Sequence, residues 1–397
     1  MMSENNTQPQ KSGIAFGALR TTLILVLVGY LLWTLGKSNP KVKAFFDRFV
    51  SDQQAVATGT ILSVGGESMG TYWNVKTVSA PKEWDGASLR GKIAETLDSV
   101  DAKMSTYRDD SEISRFNALD STDWFEVSPE TARVVTLALE ISRLTDGAFD
   151  ITVGPLVDLW RFGPNKAPLT EFPTDEKIAE TRSLCGWQNL EARTEPSPAL
   201  RKSVAGLRID LSAIAKGYAV DAVTEALLAA GIENVMVDIG GEVRCAGSKG
   251  EKPWTLGIEK PIVSHEAAPQ IHRFVRPSAQ ALATSGGGRN FSILGSTRFS
   301  HIIDPRTGRP TEMSSPGENN AENNAAKRGS VSVIDPSCAK ADALATGLYV
   351  LGSTEGKKLA DANGWPVLYL DRLKETADTF AETESEAFKT VDSFLPK

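Results

Sequence analysis

Asp342 and Thr346 stand four residues apart in Ala341-Asp342-Ala343-Leu344-Ala345-Thr346-Gly347. On a helix, positions i and i+4 share a face. A carboxylate and a hydroxyl at that spacing can hold one hard cation, which prefers oxygen ligands. The same pair fits an ordinary helix in which the threonine bonds to its own preceding turn. A second run, Arg208-Ile209-Asp210-Leu211-Ser212-Ala213-Ile214-Ala215-Lys216-Gly217-Tyr218-Ala219-Val220-Asp221, reads as a strand delivering Asp210, a tight turn, and a helix starting near Lys216. A lysine at a helix N-terminus suits a phosphate, and turn carbonyls can face a metal. A capped helix with a solvent lysine is the plainer reading.

Three further runs carry chemistry-capable residues. Met104 to Asn117 contains Ser105-Thr106-Tyr107-Arg108 and then Asp109 and Glu112, spaced like a capping box at a helix start. Tyr107 there can offer a ring face to a flat aromatic ligand. Asp146-Gly147-Ala148-Phe149-Asp150-Ile151-Thr152 is the fourth run. The fifth, His301-Ile302-Ile303-Asp304-Pro305-Arg306-Thr307-Gly308, puts a histidine just before a turn. His301 is an acid or base candidate, although a lone histidine is also often structural.

The elements that must position these residues follow from periodicity. Residues 59–77 read as a strand, a Gly-Gly turn and a second strand. Leu89, Ile93, Leu97 and Val100 predict a helix over 87–103, and Val134, Val135, Leu137, Leu139, Ile141 and Leu144 another over 129–145. Lys216–Ala230 reads as a helix stopped by Gly231, Val235–Ile239 as a buried strand, and Lys340–Leu351 as a helix ending at Gly352. Residues 312–329, rich in Asn, Ser and Gly, read as a solvated loop. Without regular strand–helix alternation the expected class is α+β. No glycine-rich nucleotide fingerprint follows a strand.

Composition narrows the function classes. The 397 residues are 41% hydrophobic and 23% charged, enough for a substantial core. A net charge of −7 argues against a general nucleic-acid binder. Cys185, Cys245 and Cys338 are too few and too scattered for a disulfide framework or a zinc pattern. Three histidines (His265, His272 and His301) argue against a histidine-rich metal site.

Residues 1–20 are polar and end in Arg20, and residues 21–36 then carry no charge. Tyr30 and Trp33 suit a membrane interface and Arg20 marks a cytoplasmic side. Lys37-Ser38-Asn39-Pro40 offers no cleavage site for a signal peptide, and the first cysteine, Cys185, is too distant for a lipid anchor. A buried core helix fits poorly at the chain terminus. The expected layout is a 1–20 cytoplasmic tail, a 21–36 signal anchor, a 37–58 stalk and a 59–397 catalytic domain outside the cytoplasm.

Taken as an ordered set, Met69-Gly70-Thr71, the Met-Ser-Thr-Tyr-Arg run, Gly147-Ala148-Phe149-Asp150, Asp210 to Gly217, Val237-Asp238-Ile239-Gly240-Gly241, Thr284-Ser285-Gly286, His301 to Pro305 and Ala341 to Thr346 resemble the ApbE family of FAD:protein FMN transferases. The resemblance covers about 60–395. It implies a single T-fold-related α+β domain that moves the FMN half of FAD to a Ser or Thr of another protein, releasing AMP. It implies Mg²⁺ on the Ala213 carbonyl, Asp342 and Thr346. It implies FAD contacts at Met69, Tyr107, Ala148, Phe149, Asp150, Asp210, Lys216 and Ile303. Asp150 and Asp210 would accept from ribose or adenine, and Lys216 would meet the pyrophosphate. His301 is the expected general base. The acceptor would carry a Ser/Thr-Gly-Ala-Thr-like sequence, in a subunit of a membrane redox complex or a periplasmic reductase. Two other outcomes keep the same ligand: an Mg²⁺-dependent FAD pyrophosphatase, and a membrane-tethered flavin-binding protein without turnover. The chain departs from the family pattern at Gly286-Gly287-Gly288-Arg289, where an acidic-aromatic pair is common, and in lacking the lipoprotein cysteine.

Overall fold

Eight strands alternate their side chains between two cores and so form the central sheet. In chain order they are β1 (Ile61–Ser68), β2 (Thr71–Val78), β3 (Val235–Ile239), β4 (Glu242–Ala246), β5 (Ala281–Gly286), β6 (Ser330–Asp335), β7 (Val367–Arg372) and β8 (Phe380–Glu384). Each pairs antiparallel with the next, so the sheet order is the chain order. The structure, a computed structural model, describes residues 61–164, 167–262, 269–288, 290–314, 328–373 and 379–396. The tail, the 21–36 run and the stalk lie outside the described residues. Among the described residues no helix is long and apolar enough to cross a membrane.

The period-2 rule shows in β7, where Val367 and Tyr369 join one core and Leu368 and Leu370 the other. The helices described are α1 (Gly86–Met104), α2 (Glu112–Ala118), α3 (Pro129–Leu144), α4 (Gly154–Leu159), α5 (Asp175–Arg182), α6 (Ala215–Ala229) and α7 (Cys338–Asn363). The first core lies under all of these but α4 and α5. All but α7 are inserted between β2 and β3. The second core is closed by a three-stranded sheet of Leu256–Glu259, Ile271–Val275 and Ser393–Phe394. A smaller cluster of Leu156, Trp160, Ile178, Cys185, Phe299 and Ile303 lies beneath the Phe291–Leu294 and Thr297–Ser300 hairpin. The expected α+β class is the observed one.

Helix α1 buries Leu89, Ile93, Leu97, Val100 and Met104 on one face. Asp85 caps it through the N–H groups of Ala87 and Ser88 at 3.0 and 2.8 Å, an arrangement worth about 1 kcal/mol. Helix α3 starts at Ser128-Pro129 and buries Val134, Val135, Ala138 and Ile141. Leu144, expected on that face, is 37% exposed.

Several sequence expectations shift. Gly65 and Gly66 lie inside β1, and the turn is Met69-Gly70, with φ of 52° and 71°. The cause is Trp73, the cross-strand partner of Gly66, since a β-carbon at Gly66 would stand 2.8 Å from its indole. Leu207–Ile209 is not a strand. Its regular pairing is one bridge, Arg208 to Val153. Helix α2 is capped by Ser111, whose hydroxyl accepts from Ser114 N–H at 2.9 Å, not by Asp109. Glu112 instead accepts from Ser128 and Thr131 on α3. Helix α7 does not end at Gly352: the glycine, at φ +81°, kinks it, and the helical run continues to Asn363. Of the expected loop 312–329, residues 315–327 lie outside the described residues, and at its start Glu312 is buried, 1% exposed. The three cysteines are buried free thiols.

Candidate active site

The site begins with how closely α6 and α7 approach. A β-carbon at Gly217 would stand 2.3 Å from the Cys338 carbonyl oxygen and 2.8 Å from the Asp342 β-carbon. Glycine is therefore required for the contact. Asp221, one turn along α6, accepts from the N–H groups of Cys338 and Ala339, both at 3.0 Å, and from the Ser337 hydroxyl at 2.9 Å. These donors are the unsatisfied start of α7. The two helices are thus locked end to side, which aims Asp342 at α6.

Asp342 is 2% exposed, and its Oδ2 accepts the Gly217 N–H at 3.0 Å. In a regular helix that N–H would go to the carbonyl four residues back, on Ala213. Diverted to Asp342, it leaves the Ala213 carbonyl without an N–H partner among the described residues. Thr346, one turn beyond Asp342, is hydrogen-bonded through its hydroxyl to the Ser285 hydroxyl at 2.9 Å. Gly347 then lets the 145–149 turn sit on α7, where a β-carbon would be 3.0 Å from both Phe149 and Thr145. Ala148 and Phe149 are buried there.

Lys216 lies on the same side of α6. Its Nζ donates to Glu242 Oε1 at 2.6 Å and stands 3.9 Å from Asp342 Oδ1. Burial pulls the ammonium's pKa down, but Asp342 and Glu242 together raise it above the ordinary lysine value. Burial pushes both carboxylates up, against the pull of Lys216. Glu242 Oε2 is buried with no hydrogen-bond partner. Two buried carboxylates thus share one ammonium, and a further cation nearby would favour their ionised forms.

A second group holds aromatic side chains and His301. The His301 Nδ1–H donates to the Asn290 carbonyl at 2.8 Å, so Nε2 carries the free lone pair of the neutral ring. Burial pushes its pKa down to about 4, the Asn290 contact opposing and Lys216 assisting. Its ring meets Phe162 edge-on at 6.3 Å. The Tyr107 hydroxyl donates to the Phe162 carbonyl at 3.4 Å, and its side chain is 55% exposed. Burial, then Asp210 and Asp158, raise the Tyr107 phenol's pKa. Asn117 clamps the Asp210 segment through two bonds with Ile209, at 2.7 and 2.8 Å. The Met104–Asn117 run thereby supports the Asp210–Lys216 run.

The expected site residues therefore fall into groups. Asp342, Thr346, Ala213 and Lys216 converge where α6 meets α7. Tyr107 and His301 both meet Phe162, Asp210 acts on the Tyr107 phenol, and Lys216 acts electrostatically on His301. Met69 sits in the β1–β2 turn, partly buried against the main core. Ile303 is buried in the small cluster with Phe299. The Asp150 carboxylate is turned inward, accepting from Thr152 N–H and hydroxyl at 2.8 and 2.7 Å and from Trp187 N–H at 2.8 Å. In this structure it braces a turn. Glu242, Ser285 and Asp221 were assigned no role from sequence. Glu242 follows directly on the Gly240-Gly241 pair, which was its only signal.

One carbonyl, one carboxylate and one hydroxyl make a hard-oxygen donor set that fits Mg²⁺ better than zinc. Among the described residues no group of three or more His, Cys, Asp or Glu side chains could hold a metal. A site here would therefore depend on the backbone and hydroxyl donors.

Comparison with known proteins identifies the family. Residues 69–369 match the model of the ApbE family. The chain is 43% identical over 327 residues to a FAD:protein FMN transferase of Vibrio cholerae, covering 82% of this chain and 91% of that protein. It is 35% identical over 327 residues to that of Escherichia coli K12, covering 81% and 88%. Among solved structures, the flavin transferase ApbE from Vibrio cholerae superposes with a TM-score of 0.71 at 41% identity, covering 84% of this chain and 99% of that one. The ApbE protein of Thermotoga maritima gives a TM-score of 0.68 at 28% identity, covering 83% and 98%. The fold and these relatives define a flavin-transferase class of α+β enzyme. The chain belongs to the ApbE family.

Proposed function

We propose that this protein splits FAD and joins its FMN half, through a phosphoester bond, to a Ser or Thr hydroxyl of an acceptor protein, releasing AMP. Relatives named FAD:protein FMN transferase at up to 43% identity support the reaction class. Two observations carry the reading in this chain: the His301 Nδ1–H is taken by the Asn290 carbonyl, which leaves Nε2 to accept a proton, and the Lys216–Asp342 cluster has an ammonium whose charge acts on His301. A base for a hydroxyl and charge for a pyrophosphate are the two things the transfer needs.

In this reading His301 Nε2 takes the proton of the acceptor hydroxyl as its oxygen attacks the FMN-side phosphorus. The bond from that phosphorus to the bridging oxygen breaks, and the electron pair leaves with AMP. Lys216 offsets charge on the phosphates, and the Tyr107 ring gives a partly exposed face for a flat ligand. Ala213 O, Asp342 and Thr346 would hold Mg²⁺, which supplies charge neutralisation on the pyrophosphate when bound. The uncharged 21–36 run with Arg20 before it supports a membrane anchor and an extracytoplasmic catalytic domain. Acceptors would then be redox-complex subunits or periplasmic reductases with a Ser/Thr-Gly-Ala-Thr-like sequence.

The test mixes the full chain with FAD, Mg²⁺ and an acceptor domain bearing that sequence. Covalent flavin fluorescence on the acceptor is expected. Asp342→Asn should reduce it about 10²–10³-fold, the scale of losing one electrostatic stabiliser. Free FMN and AMP with an unlabelled acceptor would point to the pyrophosphatase. Bound FAD without products would point to a binding protein.

A further inference from the structure

Glu242 is a buried carboxylate that the transfer reaction, as described, leaves without a task. It opens β4 and is 4% exposed. One oxygen, Oε1, accepts from Lys216 Nζ at 2.6 Å. The other, Oε2, has no hydrogen-bond partner and lies toward Gly240, where a β-carbon would be 3.5 Å away. Lys216 Nζ is meanwhile 3.9 Å from Asp342 Oδ1, beyond hydrogen-bond distance. One ammonium thus faces two buried carboxylates and is bonded to one of them.

That choice matters for a cation. An ammonium and a divalent ion compete for the same carboxylate oxygen, and a lysine closed on Asp342 would occupy Oδ1 and cancel its charge. Oδ2 is already engaged by the Gly217 N–H, so Oδ1 is the oxygen at stake. With Glu242 holding the ammonium at 2.6 Å, Oδ1 remains open.

We propose that Glu242 is a positioning residue that keeps Lys216 off Asp342 and so keeps Asp342 available to a divalent cation. The proposal rests on the metal reading given above, and its test needs neither FAD nor acceptor. Mn²⁺ binding to the full chain would be followed by electron paramagnetic resonance for the wild type, Glu242→Gln, Lys216→Met and the double variant. Glu242→Gln should weaken Mn²⁺ binding about 10–100-fold, the range for residues that orient a metal ligand. In the Lys216→Met background the same change should have about tenfold less effect, because the competitor is gone. Equal loss in both backgrounds would overturn the proposal, since Glu242 would then act independently of Lys216. Unaltered binding in Glu242→Gln would overturn it alone and leave the metal reading standing. A wild-type chain that binds no Mn²⁺ would sink both. Should Glu242→Gln not fold, Glu242→Asp keeps the charge and shortens the reach by one methylene. It should show a smaller loss, and wild-type affinity there would also overturn the proposal.

Discussion

Glu242 and Glu312 are both buried glutamates facing basic side chains, yet their surroundings differ in which hydrogen-bonding capacity is left over. Glu312, 1% exposed, accepts from the Tyr349 hydroxyl, from Arg298 Nη2 at 3.1 Å and from Arg372 Nη2 at 2.5 Å. Both its oxygens are engaged, and the unpaired atoms nearby are donors, Arg298 Nη1 and Arg372 Nε and Nη1. At Glu242 the unpaired atom is an acceptor. The Glu312 network also holds the 286–288 segment, because Gly287 N–H donates to Tyr349 Oη at 3.1 Å. A carboxylate with both oxygens taken by fixed partners braces its neighbours. One with an oxygen left over, beside a second carboxylate, is placed to meet something that arrives.

The sharpest way to break this comparison is Glu312→Gln. Removing one partner strands buried guanidinium charge, so unfolding free energy should fall by about 3–5 kcal/mol. Denaturant titration measures that loss. Transfer per folded molecule should stay within a few-fold of wild type. A variant of full stability with abolished transfer would assign Glu312 to the chemistry and erase the distinction.

The two glutamates also show what the sequence discloses. The α1 face was legible because Leu89, Ile93, Leu97 and Val100 lie within one helix, and the Asp342/Thr346 pair for the same reason. Glu242 and Glu312 were not. Their partners Lys216 and Arg372 lie 26 and 60 residues away in the chain and are brought near only by tertiary packing. Gly65-Gly66 misled in the other direction. Glycine's turn preference lost to the room that Trp73 needs across the strand pair. The Asp150 carboxylate is taken up by the Thr152 N–H and hydroxyl and by the N–H of Trp187, 37 residues on, partners that its residue type does not announce. Such competition is decided by backbone geometry that residue identity does not encode.

A smaller effect separates His301 from an ordinary histidine. With a pKa pushed from 6.5 down to about 4, its ring is neutral throughout the neutral range. The base is lost only as pH falls through about 4. Between 6.5 and 4 the unfolded chain binds a proton that the folded chain does not, so stability falls as pH falls across that window. The acid limb of kcat/KM for FMN transfer should therefore centre near pH 4. His301→Gln should remove that limb and lower the rate about a hundredfold, the lower end for general bases. A limb centred near 6.5 that survives His301→Gln would show that another group is the base.

The smallest effect tests how closely the open cluster is tuned. Ser285 and Thr346 share one hydrogen bond at 2.9 Å, and either hydroxyl can supply the proton. To offer a lone pair to a cation, Thr346 must point its proton away, and Ser285, from β5, gives that proton an acceptor. In Ser285→Ala the Thr346 proton can turn to the carbonyl one helical turn back, a bond that threonine makes readily on helices. The expected loss is thus a single neutral hydrogen bond, about 0.5–1.5 kcal/mol, read as a roughly two- to tenfold rise in the Mg²⁺ concentration for half-maximal transfer. Thr346→Val, which deletes the oxygen itself, should do more. If Ser285→Ala matches Thr346→Val, the shared bond rather than the threonine oxygen carries the cation dependence, and Ser285 joins Glu242 as a group that acts by orienting another.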